Sequence, residues 1–489
     1  MSLDRQRMES LLGRTCGKIV SKGLEGLVRW ASSHEETVRS ARGNVTYAAH
    51  GHDAGLVISL IGADRKAVSV SLGEANDSAI EKAIEAAAEM LPLVPPNPHL
   101  PDLVGPEEVR NARIESFDRE TAARFAEARR AGALDRKADF FSRAHRVAAI
   151  AGFTASARFF TGRGEIAVAN TKGLFRYHPF ALASCHLVVT GRRSDGRSIS
   201  AFASRSSSIV AKIDGARIID EALERAELQK RLPFANPFAD GFDKLTTGGA
   251  KVLRYDAILA PDAMAEWLNW FSMFGFSGLS VIEESSFMTG KIGTRITGER
   301  FTLADDWSAP GTIPLPFDAE GRDRGIMPLI ERGVAKSVVW DGATAKKAGV
   351  VSTGHANGTP FGDELEANAL PLHLVMAGGG ATSERMVKDA ARPSILVSYL
   401  NYPGMPDPRE AVFTATTRHG TFLIEGGEYV AVLPPLRMQE KSLEAFSRIE
   451  ALSRSQLVIP FENYGGVVPV GTLVPWTKIA GLAFIGAIV

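Results

Sequence analysis

The sequence predicts an α+β protein, with a duplicated strand/helix region at the N-terminus followed by a mostly β C-terminal domain. Three observations predict it. The stretches RKAVSVSLGEANDSAIEKAIEAAAEM (65–90) and RSISAFASRSSSIV…DGARIIDEALERAEL (197–228) both read as a strand followed by a helix. The second half is punctuated by glycine. Leu329-Ile330-Glu331-Arg332-Gly333-Val334 and Leu423-Ile424-Glu425-Gly426-Gly427-Glu428-Tyr429-Val430 each put a two-residue turn between β-prone runs. The run LPLVPPNPHLPDLVGP (91–106) holds six prolines, so it is extended and reads as a domain linker.

Taken in order, residues 4–30 suggest a helix, since Met8, Leu11, Leu12, Ile19, Val20, Leu24 and Leu27 recur at near-helical spacing. Strand patterns follow at 36–50, 54–62 and 65–73, broken at Arg42-Gly43-Asn44 and Ala63-Asp64. Asn76-Asp77-Ser78 caps a helix over 79–90. The next region opens with helices at 119–131 and 137–147. Strands at 151–160, 164–170, 173–178, 180–190 and 197–205 come next, then a helix at 214–228. Residues 231–249 are rich in Pro, Gly and Asn and read as a second connector. Beyond them, helices are expected at 263–274 with Asp262 as cap, at 383–391 capped by Thr382 or Ser383, and at 436–454. The domains are then 1–100, 107–230 (a repeat of the first in pattern) and 250–489.

Lys+Arg and Asp+Glu both number 56 in 489 residues, so the net charge is zero, and no basic stripe of the kind that neutralises DNA phosphates is present. The two cysteines, Cys16 and Cys185, make neither a disulfide framework nor a zinc spacing. The N-terminus MSLDRQRMES is charged, and no apolar run reaches the length of a membrane span. The apolar tail 479–489 reads as a core strand. The expectation is a soluble, cytoplasmic protein with no nucleic-acid or membrane partner.

Several residues invite chemistry. His50-Gly51-His52-Asp53 puts two imidazoles on one face of a strand end; a polar turn is the favoured reading, because no third ligand is near in sequence. Cys185 and His186 are adjacent on a strand and point to opposite faces, so they are no nucleophile–base pair. No G-x-S-x-G occurs, and Gly378-Gly379-Gly380 is not followed by the Lys-Ser/Thr of a phosphate loop. Asp305, Asp306, Asp318, Glu320 and Asp323 form an acidic patch that reads as a solvated loop rather than a cation site.

The stretch SFMTGKIG (286–293), then PFDAEGRDRGIMPLIERGVAKSVVWD (316–341) and ATAKKAGVVSTGHANG (343–358), resembles the C-terminal domain of the TldD/PmbA (TldD/TldE) metalloprotease family. SYLNYPGMPDPREAVFTATTRHGTFLIEGGE (398–428) and the ending VPVGTLVPWTKIAGLAFIG (468–486) extend the likeness in the same order. The resemblance implies a barrel-like C-terminal domain. It also implies a zinc site, because catalytic members carry a helical His-Glu-x-x-x-His and a C-terminal cysteine. Two imidazoles and a thiolate leave a coordination position for water, whose pKa zinc lowers, and the Glu serves as base.

Counting back from Phe287 puts that motif on Leu268-Asn269-Trp270-Phe271-Ser272-Met273, where no imidazole occurs. The positions of the motif are thus Leu268, Asn269 and Met273, and 459–466 holds no cysteine. By resemblance the chain is a PmbA/TldE-like subunit without zinc of its own. It would supply scaffold and peptide groove to a zinc-bearing TldD-like partner. Trp270, Ser352, Thr353, Gly354 and His355 are the groove candidates, and His355 reads equally as a structural loop histidine. Two alternatives stand beside this: a metallopeptidase with relocated ligands at His50, His52 or His355, and a non-enzymatic peptide-binding homodimer. The family's older name, modulator of DNA gyrase, gains nothing from the charge balance.

Overall fold

The structure, a computed structural model of the chain, describes residues 5–109, 134–239, 252–357, 369–459 and 469–487. The helix expected at 119–131 and the segment 460–466 lie outside them. Helix α1 (Arg5–Ser21) leads into β1 (Glu25–Ala41), β2 (Asn44–Ile61), β3 (Ala67–Leu72) and α2 (Asp77–Met90). The same order returns with α3 (Leu134–Ile150), β4 (Thr154–Asn170), β5 (Phe175–Arg192), β6 (Ser198–Ser207) and α4 (Gly215–Arg231). The two sets join through β1 and β4 into one antiparallel sheet of order β3-β2-β1-β4-β5-β6. The duplication read from the sequence is therefore a two-fold-like repeat within a single sheet.

Periodicity misjudged several boundaries. Helix α1 stops at Ser21, and Gly23 (φ 72°) turns the chain into β1, where Leu27 and Val28 are buried. The break expected after residue 50 does not occur: β2 runs through His50–Asp53, paired with Ser33–Glu36 of β1. The strands expected at 151–160 and 164–170 are one strand. Gly164 is not a turn but a close approach, since a Cβ there would meet the Phe180 ring and the Ser32 carbonyl. The strands expected at 173–178 and 180–190 are likewise one, despite Pro179. β6 ends at Ser207 opposite Ala183, so Pro179 sits where β5 has β4 alone as neighbour, the edge-like position that tolerates proline.

One face of the sheet is covered by helices. Phe140, Phe141, Ile218 and Ile219 pack on Ala157, Phe159, Cys185 and Leu187, while Leu12, Ile19, Ile80 and Ile84 pack on Val28, Ile58 and Leu60. The Pro-rich stretch is not extended throughout: Leu91–Leu93 and Pro106–Glu108 are single 3-10 turns, and the segment between them is clamped to the sheet. Leu100, Leu103 and Val104 are buried, and Asn170 Nδ2 and Lys172 Nζ donate to the carbonyls of Val104 and Leu103.

The other face meets the C-terminal lobe. There β7 (Leu253–Leu259) leads into helix α5 (Pro261–Gly275). A sheet of order β10-β9-β8-β11-β18-β17 is built from β8 (Leu303–Asp305), β9 (Met327–Glu331), β10 (Val334–Ala335), β11 (Leu374–Met376), β17 (Gln456–Val458) and β18 (Thr472–Val474). The barrel is the remaining set: β12 (Ser394–Asp407), β13 (Val412–Glu425), β15 (Leu436–Lys441) and β19 (Thr477–Ala487) join β7 in the ring β12-β7-β19-β15-β13, closed by β12–β13 pairing. Closure leaves these five strands no free edge. β14 (Glu428–Leu433) extends β13, and β16 (Ile449–Leu452) pairs with β19.

The helix expected at 436–454 is instead β15, a short helix Ser442–Ser447 and β16. Leu436, Met438 and Glu440 alternate inward with exposed Arg437, Gln439 and Lys441, and β13 and β19 pair with the strand on either side. The tail is a core strand, β19, as expected. Among the described residues no helix is long and apolar enough to cross a membrane.

Both expected hairpins form. Arg332 and Gly333 take φ 46° and 78°, Gly426 and Gly427 φ 59° and 82°, the backbone of a type I′ turn. The two turns differ in surroundings. A Cβ on Gly333 would overlap the carbonyls of Thr297 and Gly298, whereas Gly426 faces open space. Gly333→Ala is therefore expected to lower stability by about 2–3 kcal/mol and Gly426→Ala by about 1 kcal/mol, read from the shift in urea midpoint. Equal shifts would contradict this account of the turn.

Candidate functional site

Helix α5 forms because PDAMAEWLNWFSMFG contains no β-branched residue and Pro261 occupies the first helical position. Asp262 is not its cap, as expected, but lies in its first turn; Ala260 precedes the helix. Every residue from Pro261 to Leu268 is buried, so the first two turns face protein all round. Trp267 stacks on Phe413 at 4.9 Å and its Nε1 donates to Ser442 Oγ at 2.9 Å. Phe271 stacks on Phe287 at 4.3 Å. The helix packs on β12 and β13 of the barrel and on β17 and β18 of the neighbouring sheet.

The implied zinc positions fall within this packing. Leu268 is fully buried in the hydrophobic core, Asn269 is half-buried with Thr472 Oγ1 3.4 Å from its Oδ1, and Met273 is exposed. A hydrocarbon, an amide and a thioether do not fit a site that asks for two imidazoles and a carboxylate base. Trp270 is half-buried and stacks on Phe274 at 5.8 Å.

Ser352 and Thr353 lie in a half-buried loop that hydrogen-bonds the Trp340 carbonyl, and Gly354 (φ 71°) is buried against Asp323. His355 has no exposed side-chain surface. Its Nδ1 lies 2.8 Å from the Thr353 carbonyl and its Nε2 3.5 Å from Asp305, whose other oxygen is 3.7 Å from His373 Nδ1. It is thus a structural histidine in this structure, not a wall of an open groove.

The acidic patch is corrected in the same way. Asp305 and Asp318 are buried, the latter accepting from the backbone N–H of Glu320, Arg322 and Ala356, with the Arg324 guanidinium also buried beside them. Burial, then the Asp318 charge, pushes the Glu320 carboxyl up to about 8. Its Oε1 accepts from the Gly342 N–H, so the loop is an internal brace rather than a solvated turn. His50 and His52 sit mid-strand on one face. His50 is 3.7 Å from Glu36, and His52 stacks on His34 at 4.3 Å. Among the described residues no group of three or more His, Cys, Asp or Glu is arranged to hold a metal.

What the sequence did not single out is a cleft of about 600 Å³ between the sheet and the barrel. Its floor holds Arg39 on β1, Arg158 on β4 and His186 on β5, in register with one another, and Ser200 and Phe202 on β6. Its roof carries Asp262 and Glu266, one turn apart on α5, with Tyr399 of β12 and His419 of β13. Ser204 Oγ donates to Asp262 at 2.5 Å, and Tyr399 OH donates to Glu266 at 3.3 Å.

Burial raises both carboxyls. For Asp262, the Ser204 hydrogen bond and the Arg225 and Arg205 charges work against it. For Glu266, burial outweighs the Tyr399 hydrogen bond, and the Asp262 charge adds to it, so the group is pushed up to about 8. Burial and the Arg418 charge push His419 down to about 4, leaving a neutral imidazole 2.8 Å from Ser200 Oγ and stacked on Phe202 at 5.5 Å. A bulge in β13 aims it there: His419 (φ 59°) and Gly420 (φ 107°) fall where the β12–β13 register shifts. Asp262 at a helix start was visible in the sequence; that Ser204 of the sheet meets it, and Tyr399 of the barrel meets Glu266 one turn on, required the fold.

With this geometry in place, the comparisons decide the family. Models of three PmbA/TldA metallopeptidase domains match in order: domain 1 over residues 27–91, the central domain over 116–230 and the C-terminal domain over 253–486. The chain belongs to the PmbA/TldD family. This PmbA/TldD chain is 33% identical over 119 residues to an uncharacterised protein of Methanocaldococcus jannaschii, covering 23% of the chain and 28% of that protein. It is 24% identical over 228 residues to a protein of Methanothermobacter thermautotrophicus called a metalloprotease, covering 46% of the chain and 49% of that protein. The match thus spans half or less of either relative.

In fold the PmbA/TldD chain is similar to TldE from Thermococcus kodakarensis, with a TM-score of 0.81 and 20% identity over 98% of this chain and all of the other. A putative modulator of a DNA gyrase from Thermotoga maritima follows at 0.75 and 17%, over 98% of this chain and all of the other. The barrel, the shared sheet and α5 are thus features of the fold.

Native protein holds a proton on Glu266 that the unfolded chain has released between about pH 4.5 and 8. Stability carried by the neutral carboxyl is present below pH 4.5 and lost as pH rises to 8. Glu266→Gln is expected to remove this loss. Its thermal midpoint should match wild type near pH 4.5 and exceed it by a few degrees at pH 8.5. A parallel pH dependence in both proteins would refute the buried-carboxyl assignment.

Proposed function

We propose that the chain is a PmbA/TldE-like subunit of a TldD/TldE-type metallopeptidase acting on unstructured peptides, without a zinc centre of its own. It supplies scaffold and a peptide-binding cleft to a TldD-like partner that carries the zinc, and it works in the cytoplasm. The observation that carries this reading is the burial of Leu268 in the aromatic core of α5. A first imidazole at that position would replace packed hydrocarbon, Asn269 beside it offers an amide where the motif has its base, and Met273 offers a thioether where it has the second imidazole. The family match and the likeness to TldE support the same assignment. The chain's own contribution is then binding and positioning, through hydrogen-bonding groups on the cleft floor and the charged groups at its two ends.

The homodimeric alternative draws on the same cleft, which lies wholly within one chain. Co-expression with a family member carrying His-Glu-x-x-x-His separates the two. A stable complex should form and cleave a casein-like unstructured peptide, with cleavage lost on chelation and absent from the isolated chain. Cleavage by the isolated chain, or no complex with any such partner, would refute the supporting role.

A further inference from the structure

The cleft has guanidinium groups at one end of its floor and carboxyls on its roof at the other. Arg39 and Arg158 stand in register on β1 and β4 at one end, and Asp262 and Glu266 overhang Ser204 on β6 at the other. We propose that this cleft binds an oligopeptide of three or four residues by both of its free ends, ammonium on Glu266 and Asp262, carboxylate on Arg158 and Arg39. This deepens the peptide-handling role proposed above and rests on it for the class of ligand.

The dimensions fit. Neighbouring strands are about 4.8 Å apart, so Arg158 and Arg39 lie about 10 and 14 Å from the Ser204 strand. An extended peptide advances about 3.4 Å per residue, so three or four residues span that distance. A volume of about 600 Å³ is in the range that encloses a ligand of this size.

The acidic end is built for a cation. Glu266 is 5% exposed, lines the cleft, and has no hydrogen-bond partner besides Tyr399 among the described residues. A buried carboxyl with spare acceptor capacity is costly unless something pairs with it. Asp262 is already shared with Ser204 and lies in the field of Arg205 and Arg225, so Glu266, giving up its proton as the ammonium binds, is the principal ammonium acceptor. Between the ends lies the His186 ring, packed edge-on against Phe202 at 5.7 Å, which gives the cleft an apolar face.

Calorimetric titration of the purified full chain tests this with alanine peptides. Trialanine or tetra-alanine with free ends should bind most tightly. N-acetylation or C-amidation should each weaken binding about tenfold or more, and dialanine and hexa-alanine should bind less well. In Glu266→Gln the acetylated and free-amine peptides should become equivalent, and in Arg158→Gln the amidated and free-acid peptides. Equal binding of free and doubly capped peptides by wild type, tighter binding of the hexamer, or no binding at all overturns the inference. Because these arms use wild-type protein, a variant that misfolds does not rescue it. Complex formation with a zinc-bearing partner is scored separately: a complex without end-selective peptide binding removes this inference alone, and the converse removes only the supporting role.

Discussion

The structure depends on a helix that has no solvent face for its first two turns. When α5 is surrounded by protein, each polar group on it needs an internal partner, because a buried group left unpaired costs about 1–3 kcal/mol. The partners come from widely separated parts of the chain. Ser204 of β6 serves Asp262, Tyr399 of β12 serves Glu266, and Ser442, just after β15, serves the Trp267 indole. One helix thereby ties the N-terminal sheet to the barrel and the barrel to its own return strands. The aromatic stack around Phe271, Phe287, Phe301 and Phe446 fills the volume these contacts leave.

The cleft follows from the same arrangement. The sheet presents one face to helices and the other to the C-terminal lobe, and the two surfaces do not close completely where the α5 carboxyls overhang β6. Low polarity raises the Glu266 carboxyl, and the β13 bulge brings a neutral His419 onto Phe202 and Ser200. Polar groups converge on one volume there, whereas His355, Asp305 and His373 converge on an interior without one. The first arrangement can bind something; the second braces three loops.

Much of the fold was legible from residue patterns. The strand/helix repeat, the Gly-centred hairpins, the Asn76 and Thr382 caps and the final strand follow from local rules, and the structure has them. Errors arose where a neighbour overrides a local signal. Gly164 reads as a break but exists to admit Phe180, and Leu436–Lys441, read as the start of a long helix, alternates as a strand and is held by a strand on each side. The site was less legible. Leu268, Asn269 and Met273 could be placed by counting along a resemblance, but Arg158, His186 and Ser204 are brought into one row only by strand register, and Glu266 is brought over them only by the packing of α5. Charge in sequence also gave no measure of burial: Asp305 and Asp318 look like a solvated patch and are interior.

The central claim is that α5 has exchanged metal chemistry for packing. Equilibrium titration of the isolated, metal-stripped chain with zinc, followed by elemental analysis after gel filtration, addresses it directly. The account predicts no stoichiometric zinc retained at micromolar protein. One tightly held ion per chain, lost on substitution of a side chain in the C-terminal lobe, would contradict it.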